Sequence, residues 1–409
     1  MRLLVIGGGA AGMMAAVTAA ENGCRVTVIE RNARPARKVM ITGKGRCNVT
    51  NHCTVPECVA HIPGNGKFLY GVLSRFGPEE VMDWFTSRGV PLKTERGGRV
   101  FPVSDRAVDI VDCLTAAARR AGVQMLQGRV TALLTAEGAC TGVRLEDGRT
   151  VEADAVAVCT GGMSYPVTGS TGDGYALAEQ AGHRIVPPRA SLVPVETAEY
   201  WPCRLQGLSL KNVTLTLTDT KTGKKTVSEP GEMLFTHFGV SGPLVLTASA
   251  LMREPEPNRY TLSLDLKPGL TAEKLDARLV REFAAAPQQD VAHVCEGLMP
   301  RRLIGEVLAL AGFPPHTKCS GVTREQRRAL AGRLKALTLT VAGTRPIEEA
   351  IVTAGGVDVR EIDARTMASK KLAGLYFAGE VLDADAFTGG FNLQIAFSTG
   401  HAVGAAVGQ

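Results

Sequence analysis

The six residues Gly7-Gly8-Gly9-Ala10-Ala11-Gly12 constrain this chain more than any other feature. They follow the apolar run 3–6 and open a helical stretch that stops at Asn22-Gly23. A short run that is apolar at every position is the pattern of a parallel strand buried on both faces. Residues 26–29 form a second such run, ending at Glu30. Strand, helix and strand in this order make a βαβ unit. Within it, Gly7-x-Gly9-x-x-Gly12 has dinucleotide-binding spacing. The first glycine permits the tight turn, the second admits a diphosphate to the backbone, and the third lets helix and strand pack closely. Free N–H groups at the helix N-terminus face the phosphates. Glu30, 18 residues after Gly12, is placed to bind ribose hydroxyls. An acid there disfavours a 2′-phosphate, so the site suits FAD or NAD rather than NADP. An ordinary glycine turn in an α/β domain is the competing reading, and the matched strand, helix and acid weigh against it.

Composition narrows the class. At 409 residues the chain is long enough for two or three domains. With 45% hydrophobic and 21% charged residues, disorder, collagen and coiled coil are excluded. Its 46 glycines against 5% aromatics fit a backbone that a large ligand approaches closely. The net charge of +6 favours an anionic ligand and is too small to argue for nucleic acid. Ten scattered cysteines point to free thiols in a reducing, cytoplasmic setting. No apolar run reaches membrane-spanning length, so no membrane partner is expected. Met1-Arg2 and the apolar stretch behind it imitate a signal peptide, but three consecutive glycines fit a strand entering a turn better.

The stretch 31–66, rich in Gly, Asn, Thr, Pro and basic residues, reads as a long functional loop with little regular structure. Residues 105–120 read as a helix, 124–126 and 130–135 as strands, and Asp147-Gly148 as a hairpin turn. Residues 153–159 form another buried strand, running into Thr160-Gly161-Gly162. Between about 190 and 345 the pattern changes. Val213, Leu215 and Leu217 alternate with threonines, as do Leu337, Leu339 and Val341, while Leu262, Leu264 and Leu266 alternate with Ser263 and Asp265. Such alternation marks antiparallel strands with one wet face. Thr271 is expected to cap a helix carrying Leu275, Leu279 and Phe283, and Thr323 with Gln326 has capping-box spacing. After about 345 the α/β character returns, with a strand at 375–378 and a closing helix at 392–407.

The strand ending at Gly379-Glu380, with Thr388-Gly389-Gly390-Phe391-Asn392 behind it, resembles the second FAD segment of glutathione-reductase-like flavoproteins. Thr160-Gly161-Gly162 resembles their middle segment. In that layout the closing helix aims its N-terminus, with the N–H groups near Gly390, Asn392 and Leu393, at the pyrimidine end of the flavin. More specific are Ile41-Thr42-Gly43-Lys44-Gly45-Arg46-Cys47-Asn48-Val49-Thr50-Asn51, Phe238-Gly239-Val240-Ser241-Gly242-Pro243, Thr366-Met367-Ala368-Ser369-Lys370 and Gly379-Glu380-Val381-Leu382-Asp383. With these the chain resembles, over essentially its whole length, the BaiN/YhiN-type NAD(P)/FAD-dependent oxidoreductases, also described as aminoacetone-oxidase-like. The fold class expected is therefore α/β. A Rossmann-like, glutathione-reductase-like FAD-binding domain is expected over 1–190 and 345–409, with an inserted domain over 191–344. In the insert, an antiparallel β-barrel is expected at about 191–268 and 335–344, and a helical part at about 269–334. The resemblance implies non-covalent FAD between the N- and C-terminal segments, with the insert covering the flavin.

The cofactor-binding residues expected are Gly7, Gly9, Ala11, Gly12, Glu30, Arg31, Lys38, Gly43, Gly45, Arg46, Cys47, Asn48, Val130, Thr160, Gly161, Gly379, Glu380, Asp383, Gly390, Phe391, Asn392 and Leu393. Cys47 reads as a small buried thiol rather than a reactive one. His237, just before a Gly-Pro helix start, is the best histidine for a proton donor, weighed against a plain hydrogen-bonding role in its turn. Otherwise the catalytic acid or base is open. Cys53 and Cys58 have the spacing of a flavin-linked disulfide, but Pro56 lies between them and a glycine-rich helix start is missing. His52, Cys53, Cys58 and His61 match no zinc spacing, so no metal is expected. The run Arg324, Arg327, Arg328, Arg333 and Lys335 reads as a solvated helix face, with an anionic partner, including RNA, as the alternative.

These features point to an FAD-dependent oxidoreductase in which hydride passes through flavin N5 between NAD(P)H or substrate and a small-molecule acceptor. No second GxGxxG follows a strand, so NAD(P)H would be a transient electron donor. The alternatives are an amine oxidase of aminoacetone-oxidase type using oxygen, a flavoprotein acting on RNA, and a non-catalytic flavin-binding protein. A small-molecule substrate is the expected partner, and the modest charge disfavours nucleic acid.

Overall fold

A computed structural model describes residues 1–408. They fall into two compact units, one of 1–191 with 346–408, the other of 192–345.

The first unit is built on a five-stranded parallel sheet, in the order Leu375–Phe377, Ala155–Val158, Arg2–Ile6, Arg25–Glu30 and Gln124–Gln127. Leu3 lies opposite Ala155 on one side and Val26 on the other, so the first strand is central. Leu3 to Ile6 and Ala155 to Val158 are all buried, which is why the sequence shows unbroken apolar runs there. Helix Ala10–Glu21 lies against the closing helix Phe391–Val407. A Cβ on Gly400 would strike the backbone of Ala11, and one on Gly404 the backbone of Ala15. Glycines four residues apart thus bring the two helices together backbone to backbone, running in the same direction. Gly400 is nine residues into its helix, so the start of that helix projects about 13 Å beyond the level of Ala11.

The stretch 31–66 is more regular than its composition suggests. It holds helices Arg37–Ile41 and Val55–Ala60, a 3-10 turn at Thr42–Gly45 and a short strand Thr50–Asn51. Helices Gly66–Arg75 and Pro78–Thr86 follow, burying Leu69, Val72 and Leu73, and Val81, Trp84 and Phe85. The composition misled because these helices are short and their starts are unusual. Asn65 caps without a side-chain bond, and Gly77 relies on Glu80, whose Oε2 accepts the Gly77 N–H at 2.9 Å.

In the second unit, strands Val195–Thr197, Ser209–Asp219, Gly231–Phe235, Gly239–Ser241, Tyr260–Asp265 and Leu337–Thr344 pair antiparallel. An additional pairing of Ser209–Asp219 with Tyr260–Asp265 closes the sheet into a barrel. Val213, Leu215, Leu217, Leu262, Leu264, Leu337, Leu339 and Val341 fill its interior, and the alternating threonines stay on the wetter face. Between the last two strands lie helices Ala272–Ala285, Arg301–Leu310 and Arg324–Lys335. Thr271 accepts the Lys274 N–H, and Thr323 with Gln326 forms a complete capping box. Among the described residues no helix is long and apolar enough to cross a membrane.

One buried histidine makes the first unit sensitive to acid. His183 is 4% exposed, with Nδ1 3.2 Å from Glu361 Oε2 and Nε2 2.7 Å from Ser369 Oγ. Burial holds its pKa below the usual 6.5, against the upward pull of Glu361. The unfolded chain therefore binds a proton that the folded chain refuses. The His183 contribution to stability is full above pH 6.5 and is lost as pH falls through the lower folded value. Urea unfolding from neutral pH downward is expected to show His183→Gln losing less stability than wild type, and parallel acid limbs would contradict this assignment.

Candidate functional site

The turn after the first strand is shaped from the backbone upward. Gly7 has φ +98°, its N–H donates to Ile29 O at 2.9 Å, and a Cβ would collide with the Cys159 carbonyl. A Cβ on Gly12 would collide with the carbonyl oxygen of Gly7. At Gly9, by contrast, a Cβ would meet nothing within 4 Å. Two of the three motif glycines thus serve the fold, and Gly9 borders open space at a helix start that no side chain caps. Glu30 turns into the same turn. Its Oε2 accepts the Gly8 N–H at 2.8 Å, and its Oε1 accepts the Asn32 N–H and Nδ2, both at 2.8 Å. A carboxylate has about four acceptor sites, so one remains for a hydroxyl.

A second group lies around Glu380. Its carboxylate accepts from Lys38 Nζ at 2.8 Å, Ser164 Oγ at 3.1 Å and the Thr353 N–H at 2.7 Å. Lys38 Nζ also donates to Ser164 Oγ at 2.6 Å. Gly379, with φ +78°, donates its N–H to Thr399 Oγ1 at 2.9 Å. Asp383 accepts from Asn65 Nδ2 at its carbonyl (2.6 Å) and at Oδ2 (3.0 Å). Among the described residues of this unit, Asn48 Oδ1, Thr160 Oγ1 and Tyr175 OH are buried with no protein partner. Burial, with the negative charges of Glu380 and Asp383, pushes the Tyr175 phenol up. Buried polar groups ordinarily find partners, so orphans on these segments suit a polar ligand.

The closing helix also begins without a side-chain cap, at Gly390 with φ +103°. A Cβ on Gly390 would collide with the Thr50 backbone, so the turn and the short strand Thr50–Asn51 are pressed together. Phe391 is buried and stacks on His61 at 4.4 Å. Asn392 holds the preceding turn: Oδ1 accepts the Ala386 N–H at 2.9 Å and Nδ2 donates to Ala386 O at 2.9 Å. Leu393 is partly buried against the core. Gln394, which carried no signal in the sequence reading, is fully buried and ties this helix to two other segments. An isolated glutamine among small and apolar helix residues was the available clue.

Other expected residues have protein partners. Arg46 pairs with Glu95 and Asp105 and lies 4.2 Å over the Phe101 ring. Arg31 Nη1 donates to Thr171 Oγ1 at 2.7 Å. Gly43 and Lys44 both take left-handed conformations, and Gly45 has φ +84° with open space beside it. Burial pushes the Cys47 thiol up to about 12, which keeps it neutral. Val130 opens a strand and is buried, and Gly161 has φ +74°. Ala11 is buried under Gly400.

All ten cysteines are free thiols. Pro56 does not break the Cys53–Cys58 segment. It sits in the first turn of helix Val55–Ala60, where proline is welcome, behind a Thr54–Glu57 capping box. A hydrogen bond between the two thiols lowers Cys53 and raises Cys58. Among the described residues no group of three or more His, Cys, Asp or Glu could hold a metal ion. His237 is exposed on the turn before Gly239–Ser241, edge-on to Phe238 at 4.9 Å.

The HI0933-like protein Rossmann domain family matches residues 1–406. The 3-dehydro-bile acid delta(4,6)-reductase of Clostridium scindens is 32% identical over 419 residues, covering 100% of this chain and 99% of that protein. The ribosomal RNA dihydrouridine synthase of Escherichia coli is 33% identical over 401 residues, covering 98% of this chain and 96% of that protein. Among solved structures, the 3-ketosteroid delta1-dehydrogenase of Sterolibacterium denitrificans has a similar fold, with a TM-score of 0.54 at 13% identity over 99% of each chain. The Rossmann-type fold class inferred from the glycine turn agrees with these matches, and so does the family suggested by the motifs. The chain belongs to the HI0933-like Rossmann-domain family, the BaiN/YhiN-type flavoproteins.

Proposed function

We propose that the protein is an FAD-dependent reductase that delivers hydride to a carbon–carbon double bond conjugated with a carbonyl. The observation that carries this reading is the open face at Gly9, set between an uncapped helix start and Glu30. Free N–H groups there suit a diphosphate, and the free acceptor site of Glu30 suits a ribose hydroxyl. The second uncapped helix start, about 13 Å further along, leaves room for an extended dinucleotide. Bound FAD would supply a two-electron hydride carrier at flavin N5. The side chains that would hold it are Glu30 and the unpartnered Asn48 and Thr160, with Lys38 and Glu380 fixing each other beside them. The double bond is the acceptor type common to the names of the two curated relatives.

Two experiments test this. Denatured protein is expected to release FAD, identified by chromatography, and FMN or a colourless preparation would overturn the cofactor. Anaerobic titration with NADH, NADPH and amines, followed by oxygen or a conjugated enone, identifies donor and acceptor. Reduction by an amine with reoxidation only by oxygen would favour an oxidase instead. Cys53→Ser with Cys58→Ser is expected to leave flavin reduction intact, because both are free thiols on an ordinary capped, proline-started helix. Loss of reduction with FAD still bound would contradict that.

A second reading, reduction of a pyrimidine base in ribosomal RNA, is favoured by the Escherichia coli relative's name and by the distribution of positive charge in the second unit.

A further inference from the structure

We propose that the exposed basic face shared by helices Ala272–Ala285 and Arg324–Lys335 docks the phosphate backbone of RNA. The proposal rests on the RNA reading above and assigns that reading a surface.

Charge in this chain is not evenly spread. Residues 267–335 hold 12 Lys and Arg against 7 Asp and Glu. Five of the six net positive charges of the chain therefore lie in about a sixth of its length. The two helices bury Leu275, Leu279 and Phe283 on one side and Leu330 and Leu334 on the other, which leaves their remaining faces to solvent. Across the seam Asp276 accepts from Arg327 Nε at 2.8 Å and Nη2 at 3.1 Å. Arg327 thereby engages both oxygens of that carboxylate, which Arg324 and Arg328 also keep charged.

Five exposed cations remain: Lys274, Arg281, Arg324, Arg328 and Arg333, the last bonded through Nε to the Leu310 carbonyl. Among the described residues Lys274, Arg281, Arg324 and Arg328 form no close ion pair, although Arg324 and Arg328 lie near enough to Asp276 and Glu325 to favour their charged forms, whereas neighbours such as Arg278 and Arg301 pair directly with Glu282 and Glu296. Arg324 and Arg328 are four apart and so share one helix face, about 6 Å along the axis. Lys274 and Arg281, seven apart, share a face of the adjoining helix. The other acids of these helices are Glu282, paired with Arg278, and Glu273 and Glu325, which sit in the first turns behind the Thr271 and Thr323 caps. An excess of exposed cations over close counter-ions on two neighbouring helices is the electrostatic footprint of a polyanion. Val280 is the one large apolar residue exposed on these two helices, too little to enter a membrane. Phosphate contacts of this type position a nucleic acid without reading its sequence.

The test is the quadruple variant Lys274→Gln, Arg281→Gln, Arg324→Gln, Arg328→Gln in the full FAD-loaded chain. The probe is a fluorescein-labelled RNA stem-loop with a uridine-rich loop, followed by anisotropy across a KCl series. Each phosphate contact removed lowers the salt slope by about 0.7 to 0.9. The variant is expected to lose about 3 from the slope and to bind on the order of tenfold or more weaker at low salt. Flavin absorbance and melting temperature should not change, because all four side chains are exposed. Lys211→Gln with Lys225→Gln, exposed on the barrel strands, should keep the wild-type slope. Equal slopes for wild type and the quadruple variant would overturn the surface and leave the RNA reading standing. A wild type that ignores RNA, or prefers anionic vesicles or an acidic peptide, would overturn both.

Discussion

Gly9→Val is expected to strip FAD from the protein while the fold stands, and Gly12→Ala is expected to do the reverse in order of cause. Gly9 has φ −77° and ψ −171°, a conformation any residue adopts, and its missing side chain points into open space. Valine there adds three carbons where a diphosphate would touch the backbone, and costs the apo-protein only about 1 kcal/mol as a poorer N-cap. Gly12 faces the Gly7 carbonyl oxygen and Val5 Cγ1. A methyl group there must push helix Ala10–Glu21 off the central strand, an overpacking cost of about 1–3 kcal/mol or more. The two variants separate by two measurements on the same samples, FAD released per chain and melting temperature after FAD is removed. Gly9→Val should fall near zero in the first and shift little in the second. Gly12→Ala should lower the apo melting temperature, and any FAD loss follows from that. FAD retained at wild-type level in Gly9→Val would remove the open face from the binding site.

These two glycines also show where a sequence can be read. Gly7-x-Gly9-x-x-Gly12 is local: strand, turn and helix lie within thirty residues, and their periodicities need no distant partner. The barrel strands were legible for the same reason, since Val213, Leu215 and Leu217 alternate with threonines whatever they pair with. The first-turn caps at Thr271 and Thr323 are equally local. What stayed hidden depends on pairings across the chain. Lys38 and Glu380 lie 342 residues apart, and neither letter announces the other. Arg46 was visible as a basic residue in a glycine-rich loop, but its carboxylates come from Glu95 and Asp105, brought near by the hairpin Leu92–Glu95 and Arg99–Pro102. Asn392 sat at the expected helix start, yet its side chain is occupied with Ala386. Helices 66–75 and 78–86 were missed because amphipathic segments of about ten residues carry weak periodicity.

Gln394→Leu is expected to be the most destabilising single change near the closing-helix start. Gln394 is fully buried, and each end of its amide is used. Its Oε1 accepts the Thr50 hydroxyl at 2.5 Å, and its Nε2 donates to Phe76 O at 3.1 Å and to Ser398 Oγ at 2.9 Å. Ser398 Oγ donates to the same Phe76 carbonyl at 2.6 Å, so that acceptor keeps one partner in the variant. Thr50 does not: its hydroxyl is left as a buried donor beside apolar carbon. One orphaned hydroxyl and two lost donations cost about 2–4 kcal/mol, against a partial gain from leucine burial. In a unit of this size that is a fall of roughly 4–12 °C in melting temperature. The partner variant Thr50→Val decides between lost packing and lost hydrogen bonding. If the bond is what matters, adding Thr50→Val to Gln394→Leu restores part of the loss, because no unsatisfied donor remains, and the double-mutant cycle shows a coupling of about 1–2 kcal/mol. Additive losses would mean that leucine simply fits badly. Because Thr50 and Gly390 touch backbone to backbone, the same cycle read by FAD affinity measures how far this buried network sets the position of the closing-helix N-terminus.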